Sequence, residues 1–544
     1  MYKIFSCITF IFLFISCNPK ETNILKPKLV IGIVVDQMRY DYLTRFSDRY
    51  SANGFKRLLN DGFSLENAHY NYIPTYTAVG HTSIYTGTTP ENHGIISNNW
   101  YDKYLKKPIY CVDDDNYKTI GNLSKMGNKS PHRMVTTTIT DQLHLAQNMR
   151  GKTIGIAIKD RSAILPAGHT ANAAYWFHGA SQAQWISSSF YMNELPKWVQ
   201  NFNNSDIAES YLQNSWKTLY DINTYKNSIE DNNIFERKFI GENTTSFPHN
   251  IPEIRAKNGN FNILKAIPSG NSFTLDFAKT AIIEEQLGKQ NDIDFLAISL
   301  SSTDYIGHQF GPTSVEIEDT YLRLDNDLAD FLTFLDLKVG KDSYTVFLTA
   351  DHAAVDIPSY LKTLNIPAHY INQKKLKTDI LAITKKHYNS TELIENISNF
   401  QIFLDKNKIE SLGLEKNKVA EKLAEEIIYI DGIYKTVTAK TLQTTRFGDG
   451  IMNSLQNGYN QKLSGDVMMI PLPATLSGGK TGTSHGSGYS YDTHIPIIFY
   501  GNGIKKGVSK KRYEIIDIAP TIANLLQIEA PNSTTGKIID EALK

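Results

Sequence analysis

Residues 295–308 read FLAISLSSTDYIGH, an apolar run that breaks into a polar stretch carrying Asp304 and His308. The pattern recurs: KLVIGIVVD at 28–36 ends in Asp36, and YTVFLTADH at 344–352 ends in Asp351 and His352. With Ile154–Ile158 and Ile497–Tyr500, the runs Leu29–Val35, Phe295–Leu300 and Tyr344–Leu348 make a set of short, β-branched segments. Strands this continuously apolar are buried on both faces. They predict an α/β fold with a mostly parallel central sheet flanked by helices on both faces. Residues 318–337 carry Leu324, Leu328, Phe331 and Leu335 on one helical face, and a second covering helix opens at Asp517 with Pro520 in its first turn. Carboxylates and imidazoles at the ends of such strands are the donor set of a divalent metal site. A lone candidate, His485, lies in SHGSGYSYDTHIP near the C-terminus.

The chain has 544 residues, more than one simple core requires, and long stretches separate the strands. Residues 180–290 are rich in Asn, Tyr and Trp with weak periodicity. Residues 360–475 contain the helix-like run EKNKVAEKLAEEIIYI at 415–430. Both read as inserted cap regions of a catalytic domain spanning 28–544, of the kind that shapes access to a sheet edge. Lys plus Arg equals Asp plus Glu at 56 each, so no bulk field favours nucleic acid and no such partner is expected.

Lys3 and the apolar residues 4–15 read as an export signal over residues 1–17, too short to span a membrane as a mature helix. Ser16-Cys17 resembles a bacterial lipoprotein processing site, with Phe14 unusual three positions upstream; plain cleavage nearby is the alternative. Residues 18–27 then form a tether. The expected location is the periplasm or cell envelope of a bacterium, with a lipid anchor on Cys17. Cys7 falls in the signal, so Cys111 stands alone; no intrachain disulfide and no cysteine nucleophile are expected.

Thr75 and Thr77 precede a helix-compatible run. A threonine there sits where backbone N–H groups and the helix dipole favour an anion, although an isolated one reads first as an N-cap. Taken together, PTYTAVGHTSIYTG (74–87), PENHGIISNNW (90–100), KDRSAILPAGH (159–169), SSTDYIGH (301–308), TADHA (349–353) and HGSGYSYDTHIPIIFYG (485–501) resemble the alkaline phosphatase superfamily, in its bacterial monoesterase branch. The resemblance covers essentially the whole mature chain. It implies Thr77 as nucleophile, forming a phosphothreonine intermediate. It implies one Zn²⁺ held by Asp304, His308 and His485, and a second held by Asp36, Asp351, His352 and Thr77. Asn98, Lys159 and Arg161 match the family's phosphate-contacting positions, and small phosphate monoesters would be the substrates. The oligomeric state stays open.

The chemistry of the residues agrees. A threonine hydroxyl is a poor nucleophile near neutral pH and is activated by a dication. Two Zn²⁺ would bring four positive charges against four negative ones on Asp36, Asp304, Asp351 and a Thr77 alkoxide. Lys159 and Arg161 could then balance a dianionic monoester, and two residues apart on an extended segment they would share a face. Alternatives are a phosphodiesterase or nucleotide pyrophosphatase of the same superfamily, and a non-catalytic lipoprotein that binds metal or phosphate. A sulfatase is disfavoured, because TAVGH at the nucleophile lacks the Cys/Ser-x-Pro-x-Arg pattern. His494 competes with His485 as a ligand; His69, His81, His93, His169 and His178 read as structural or surface residues.

Overall fold

The computed structural model describes residues 26–544. The export signal, Cys17 and nearly all of the tether lie outside the described residues.

A central sheet organises the chain. In sequence order its strands are β1 (Leu29–Val35), β2 (Phe63–His69), β3 (Thr119–Ile120), β4 (Thr153–Ala157), β5 (Ala173–His178), β6 (Gln184–Ser188), β7 (Asp294–Leu300), β8 (Tyr344–Thr349), β9 (His494–Gly501), β10 (Gly507–Ser509) and β11 (Tyr513–Glu514). Their spatial order is β10-β2-β9-β8-β1-β7-β4-β5-β6-β3, with β11 also on β2. The five central strands β8, β1, β7, β4 and β5 are mutually parallel. β9, one of the expected strands, runs antiparallel to β8, as do β6 to β5 and β3 to β6. The sheet is therefore mixed at its edges: an unbroken apolar run reports burial on two faces but not strand direction.

Helices flank this sheet. The first group comprises α1 (Thr77–Thr86), α2 (Asp160–Ala167) and α6 (Ile518–Leu526); the second comprises α3 (Ser269–Glu284), α4 (Ser302–Phe310) and α5 (Val315–Leu335). Ser314 caps α5, its hydroxyl accepting from Ile317 N–H at 3.1 Å. Leu324, Leu328, Phe331 and Leu335 of α5 are all buried, as the sequence spacing predicts. Every residue of α1 is buried, so this helix has no solvent face.

Between β8 and β9 the chain builds a small second layer. Four antiparallel strands order as 394–398, 401–404, 467–471 and 433–438, packed against helices 373–388 and 416–427. Between β6 and β7 the chain is largely short helical turns until α3 returns it to the sheet.

Close packing of α1 on the sheet depends on two glycines. A Cβ on Gly32 of β1 would lie 2.3 Å from Tyr85 Oη and 2.4 Å from Phe347 Cζ. A Cβ on Gly80 would lie 2.1 Å from the carbonyl oxygen of Asp351. Overpacking at such contacts costs about 1–3 kcal/mol. Gly32→Ala should therefore lower the chemical-denaturation midpoint clearly, whereas Gly448→Ala, with no heavy atom within 4 Å of the added carbon, should shift it by under ~0.5 kcal/mol equivalent. Equal midpoints for the two variants would contradict this packing.

Candidate active site

β7, β1 and β8 are adjacent, with Val35 paired to Leu300 and Val34 paired to Thr349. The residues that follow these strands consequently emerge side by side at the sheet's C-terminal edge, where open α/β sheets place their ligands. Asp36 follows β1, Asp351 and His352 follow β8, and Asp304 lies in the first turn of α4 after β7. Lys159 follows β4 next door. β9 starts at the same edge because it runs antiparallel, and that brings the preceding loop with His485 into the group.

The three imidazoles present themselves alike. His308 Nδ1 bonds the Thr483 carbonyl at 2.8 Å, His485 Nδ1 the Thr75 carbonyl at 2.7 Å, and His352 Nδ1 the Ala353 carbonyl at 3.1 Å. A carbonyl can only accept, so each Nδ1 carries a proton, and wherever the ring is neutral, as at His352 and His485, Nε2 offers a lone pair inward. What those lone pairs meet is mostly carboxylate. His352 Nε2 lies 3.3 Å from Asp351 Oδ2 and 3.6 Å from Asp36 Oδ1; His308 Nε2 lies 3.2 Å and His485 Nε2 3.7 Å from Asp304 Oδ1. Acceptors facing acceptors in a dry site require a cation between them. Both carboxylate oxygens of Asp36 and Oδ2 of Asp351 are buried without a hydrogen-bond donor. Lys159 Nζ comes within 2.6 Å of Asp36 Oδ2, an ion-pair contact that lacks hydrogen-bond alignment.

Two clusters have ligand atoms within 4.8 Å of one another: Asp36, Asp351 and His352, and Asp304, His485 and again His352. His308, one turn on from Asp304 in α4, lies 3.2 Å from its Oδ1 but is not among the atoms of that cluster, where His352 takes the place expected for it. The donor set therefore suits divalent metal.

Electrostatics point the same way. Burial, reinforced for Asp351 by the Asp36 charge beside it, holds Asp36 and Asp351 above the usual carboxylate range. Asp304 is also buried, yet His308 and Lys159 pull it well below. Burial pushes His352 well down and His485 down to about 3, where both stay neutral and able to ligate. For His308, burial is outweighed by Asp304, which raises it.

Thr77 is the first residue of α1, not its N-cap, and its hydroxyl makes no capping bond. Its Oγ1 lies 3.4 Å from His352 Nε2 and 3.5 Å from Lys159 Nζ. Asn98 Oδ1 accepts from Ala78 N–H at 2.8 Å, which turns the Asn98 amide N–H₂ away from the helix end. Lys159 Nζ donates to Asp304 Oδ2 at 2.6 Å and lies 5.3 Å from the centre of the Tyr305 ring. The expectation of an extended 159–161 segment does not hold. Lys159 has extended backbone, but Asp160 opens α2, so Arg161 sits in a helical first turn. Its Nη1 donates to Tyr110 Oη at 3.0 Å, and its Nε is buried with no acceptor.

Several participants carry no signal in the sequence. Gln37 adopts a left-handed backbone, φ 64°, which costs roughly 1–2 kcal/mol. In that conformation its N–H donates to Asp351 Oδ1 at 3.1 Å and its Nε2 to Asp304 Oδ1 at 2.7 Å, tying two strand ends together. Gly307 makes room, since a Cβ there would sit 2.0 Å from Gln37 Oε1. His81, expected to be structural, lies behind the hydroxyl: its Nδ1 donates to the Thr77 carbonyl at 2.9 Å and its Nε2 accepts from Ser299 Oγ at 3.0 Å. His494 bonds the Glu66 carbonyl at 3.0 Å and stacks on His69, away from the metal-type donors. Tyr76 packs edge-on to His485, and both line an enclosed, mostly apolar cavity of about 110 Å³ under the strand 467–471.

A family profile described as type I phosphodiesterase/nucleotide pyrophosphatase matches residues 30–493. The chain is 46% identical, over 95% of each chain, to a Myroides odoratus protein named calcium-transporting ATPase. It is 45% identical to alkaline phosphatase PhoV of Synechococcus elongatus, over 96% of this chain and 94% of the relative. To alkaline phosphatase PafA of Elizabethkingia meningoseptica it is 42% identical over 96% of each. The crystal structure of wild-type PafA superposes with a TM-score of 0.92, covering 95% of this chain and 99% of the other. Profile, relatives and superposed fold each span most of the sequence, and the chain belongs to the type I phosphodiesterase/nucleotide pyrophosphatase family within the alkaline phosphatase superfamily.

Proposed function

We propose that the chain is an alkaline phosphatase: it hydrolyses small phosphate monoesters, with Thr77 as the nucleophile and a phosphothreonine intermediate. The observation that carries this is a buried threonine hydroxyl 3.4 Å from His352 Nε2 and 3.5 Å from Lys159 Nζ, at the edge where the metal-type donors gather. The alkaline phosphatase relatives support it along nearly the whole chain.

Asp304, His308 and His485 would hold one cation, and Asp36, Asp351 and His352 the other, with Thr77 completing the second set. Two Zn²⁺ bound there would supply Lewis-acid polarisation and charge compensation at the attacking and leaving oxygens. The protein's own groups do the rest. Thr77 Oγ1 attacks phosphorus, the P–O bond to the alcohol breaks, and the phosphoryl group rests on Thr77. Water then attacks the same phosphorus from the side the alcohol left, the P–O bond to Thr77 breaks, a water proton restores the Thr77 hydroxyl and phosphate departs, so two in-line displacements give net retention. Asn98 N–H₂, Lys159 and Arg161 bind the non-bridging oxygens and hold the group in line. Gln37 keeps Asp304 and Asp351 in register during both steps.

Lys159 beside the hydroxyl, with Arg161 two residues on as a second phosphate contact, favours a dianionic monoester over a monoanionic diester. The reading of a phosphodiesterase draws on the family profile's description and makes the opposite demand. No helix among the described residues is long and apolar enough to cross a membrane. Export to the cell envelope through residues 1–17, with a lipid on Cys17, completes the reading.

Chelator-treated protein should lose turnover of a chromogenic monoester and regain it with Zn²⁺; recovery with Mn²⁺ but not Zn²⁺ would overturn the metal assignment. Hydrogen bonds to charged groups are worth about 1.5–3 kcal/mol each. Replacing Lys159 and Arg161 together by Ala should therefore cut monoester kcat/KM by roughly a hundredfold or more, and diester kcat/KM much less. A diester loss as large as the monoester loss would favour the phosphodiesterase.

A further inference from the structure

Arg161 makes one side-chain hydrogen bond to the protein, from Nη1 to Tyr110 Oη at 3.0 Å. Because Tyr110 Oη accepts there, its own hydrogen must go elsewhere, and it donates to Asp160 Oδ1 in a short bond. Asp160 Oδ1 also accepts the Arg161 backbone N–H at 2.7 Å. Its other oxygen lies 3.3 Å from Lys129 Nζ. Lys129 is buried; it pairs with Asp113 Oδ1 at 2.6 Å and lies 4.8 Å from the centre of the Tyr110 ring. The Tyr110 phenol thus holds one N–H of the guanidinium, and Asp160 and Lys129 in turn hold the phenol. Arg161 Nε is buried and has no hydrogen-bond partner among the described residues.

We propose that Tyr110 and Asp160 are positioning residues that aim Arg161 at the phosphoryl oxygens. The proposal rests on the phosphate-binding reading of Arg161 given above. A guanidinium has five donors in a rigid fork, so holding one N–H fixes the plane and direction of the others. The side chain otherwise has considerable rotamer freedom, and ordering it beforehand removes that cost from substrate binding. Burial raises the Tyr110 phenol well above its ordinary range, with Asp160 adding to this and Arg161 opposing it, so the hydroxyl keeps the proton that fixes its donor and acceptor roles. Asp160 also keeps the guanidinium beside a negative charge while the site is empty. Neither residue touches the metal-type donors, and the sequence reading of 159–161 gave Asp160 no part.

A merely structural role, with Tyr110 satisfying the buried guanidinium, predicts a lowered thermal midpoint with kcat/KM and phosphate inhibition unchanged. The test is a double-mutant cycle on the metal-loaded enzyme with Tyr110→Phe, Arg161→Ala and both, reading monoester kcat/KM, the inhibition constant for inorganic phosphate, and the thermal midpoint. Tyr110→Phe alone should lower kcat/KM and weaken phosphate inhibition by roughly tenfold, the worth of one orienting hydrogen bond. In the Arg161→Ala background the same change should cost less than about twofold. Asp160→Asn, which preserves shape, should show the same dependence on Arg161 with a smaller effect. Equal losses in both backgrounds, or no loss in either, would overturn the proposal while leaving Arg161 as a phosphate ligand. If Arg161→Ala itself left phosphate inhibition and turnover unchanged, the phosphate-binding reading would fail, and this proposal with it.

Discussion

Lone pairs meet lone pairs at the C-terminal edge of the central sheet, and most of the site's design follows from that conflict. Three imidazoles have their Nδ1 protons committed to backbone carbonyls and point their Nε2 atoms at carboxylates, and for the neutral His352 and His485 that sets acceptor against acceptor. Water cannot settle the matter, because Asp36, Asp351 and His352 are fully buried. The protein alone offers Lys159, which reaches Asp36 and Asp304 at 2.6 Å each. One ammonium does not neutralise three carboxylates. Divalent cations would, and the order of strands in the sheet is what brings the donors together.

That convergence is a property of topology. β7, β1 and β8 are neighbours in the sheet although Asp36 and Asp351 are 315 residues apart in the chain. Adjacent parallel strands end about 4.8 Å apart, so a residue just beyond each end needs only a side chain's length to share a ligand. Gln37 then locks the ends together, at the expense of a left-handed backbone that Gly307 makes spatially feasible. Helix α1 completes the arrangement. Gly80 lets it approach the Asp351 backbone, and that approach sets Thr77 beside His352.

What the sequence disclosed was the part written in local pattern. Apolar runs ending in Asp36, Asp304 and Asp351-His352 announced both the strands and the donors, because burial and metal chemistry each leave a compositional mark. The direction of β9 was not legible, since two-sided burial looks the same in a parallel and an antiparallel strand. Gln37, His81 and Tyr110 were not legible either. Their partners are long-range in the chain, and nothing about a glutamine after Asp36 or a tyrosine before Cys111 tells what it will touch. Lys159 and Arg161 are singled out by resemblance alone, and the extended segment expected for them is absent: the strand ends at Ala157 and the helix begins at Asp160, so the pair sits on a strand-to-helix turn.

The central claim is that six distant side chains gather around two cations beside Thr77. Diffraction from crystals of the protein grown with orthophosphate, recorded on both sides of the zinc absorption edge, tests it directly. The account predicts two anomalous peaks, one in bonding contact with Asp36, Asp351 and His352 and the other with Asp304, His308 and His485, with a phosphate between them and the Thr77 hydroxyl at its edge. A single peak, or two peaks bonded to other side chains, would contradict it.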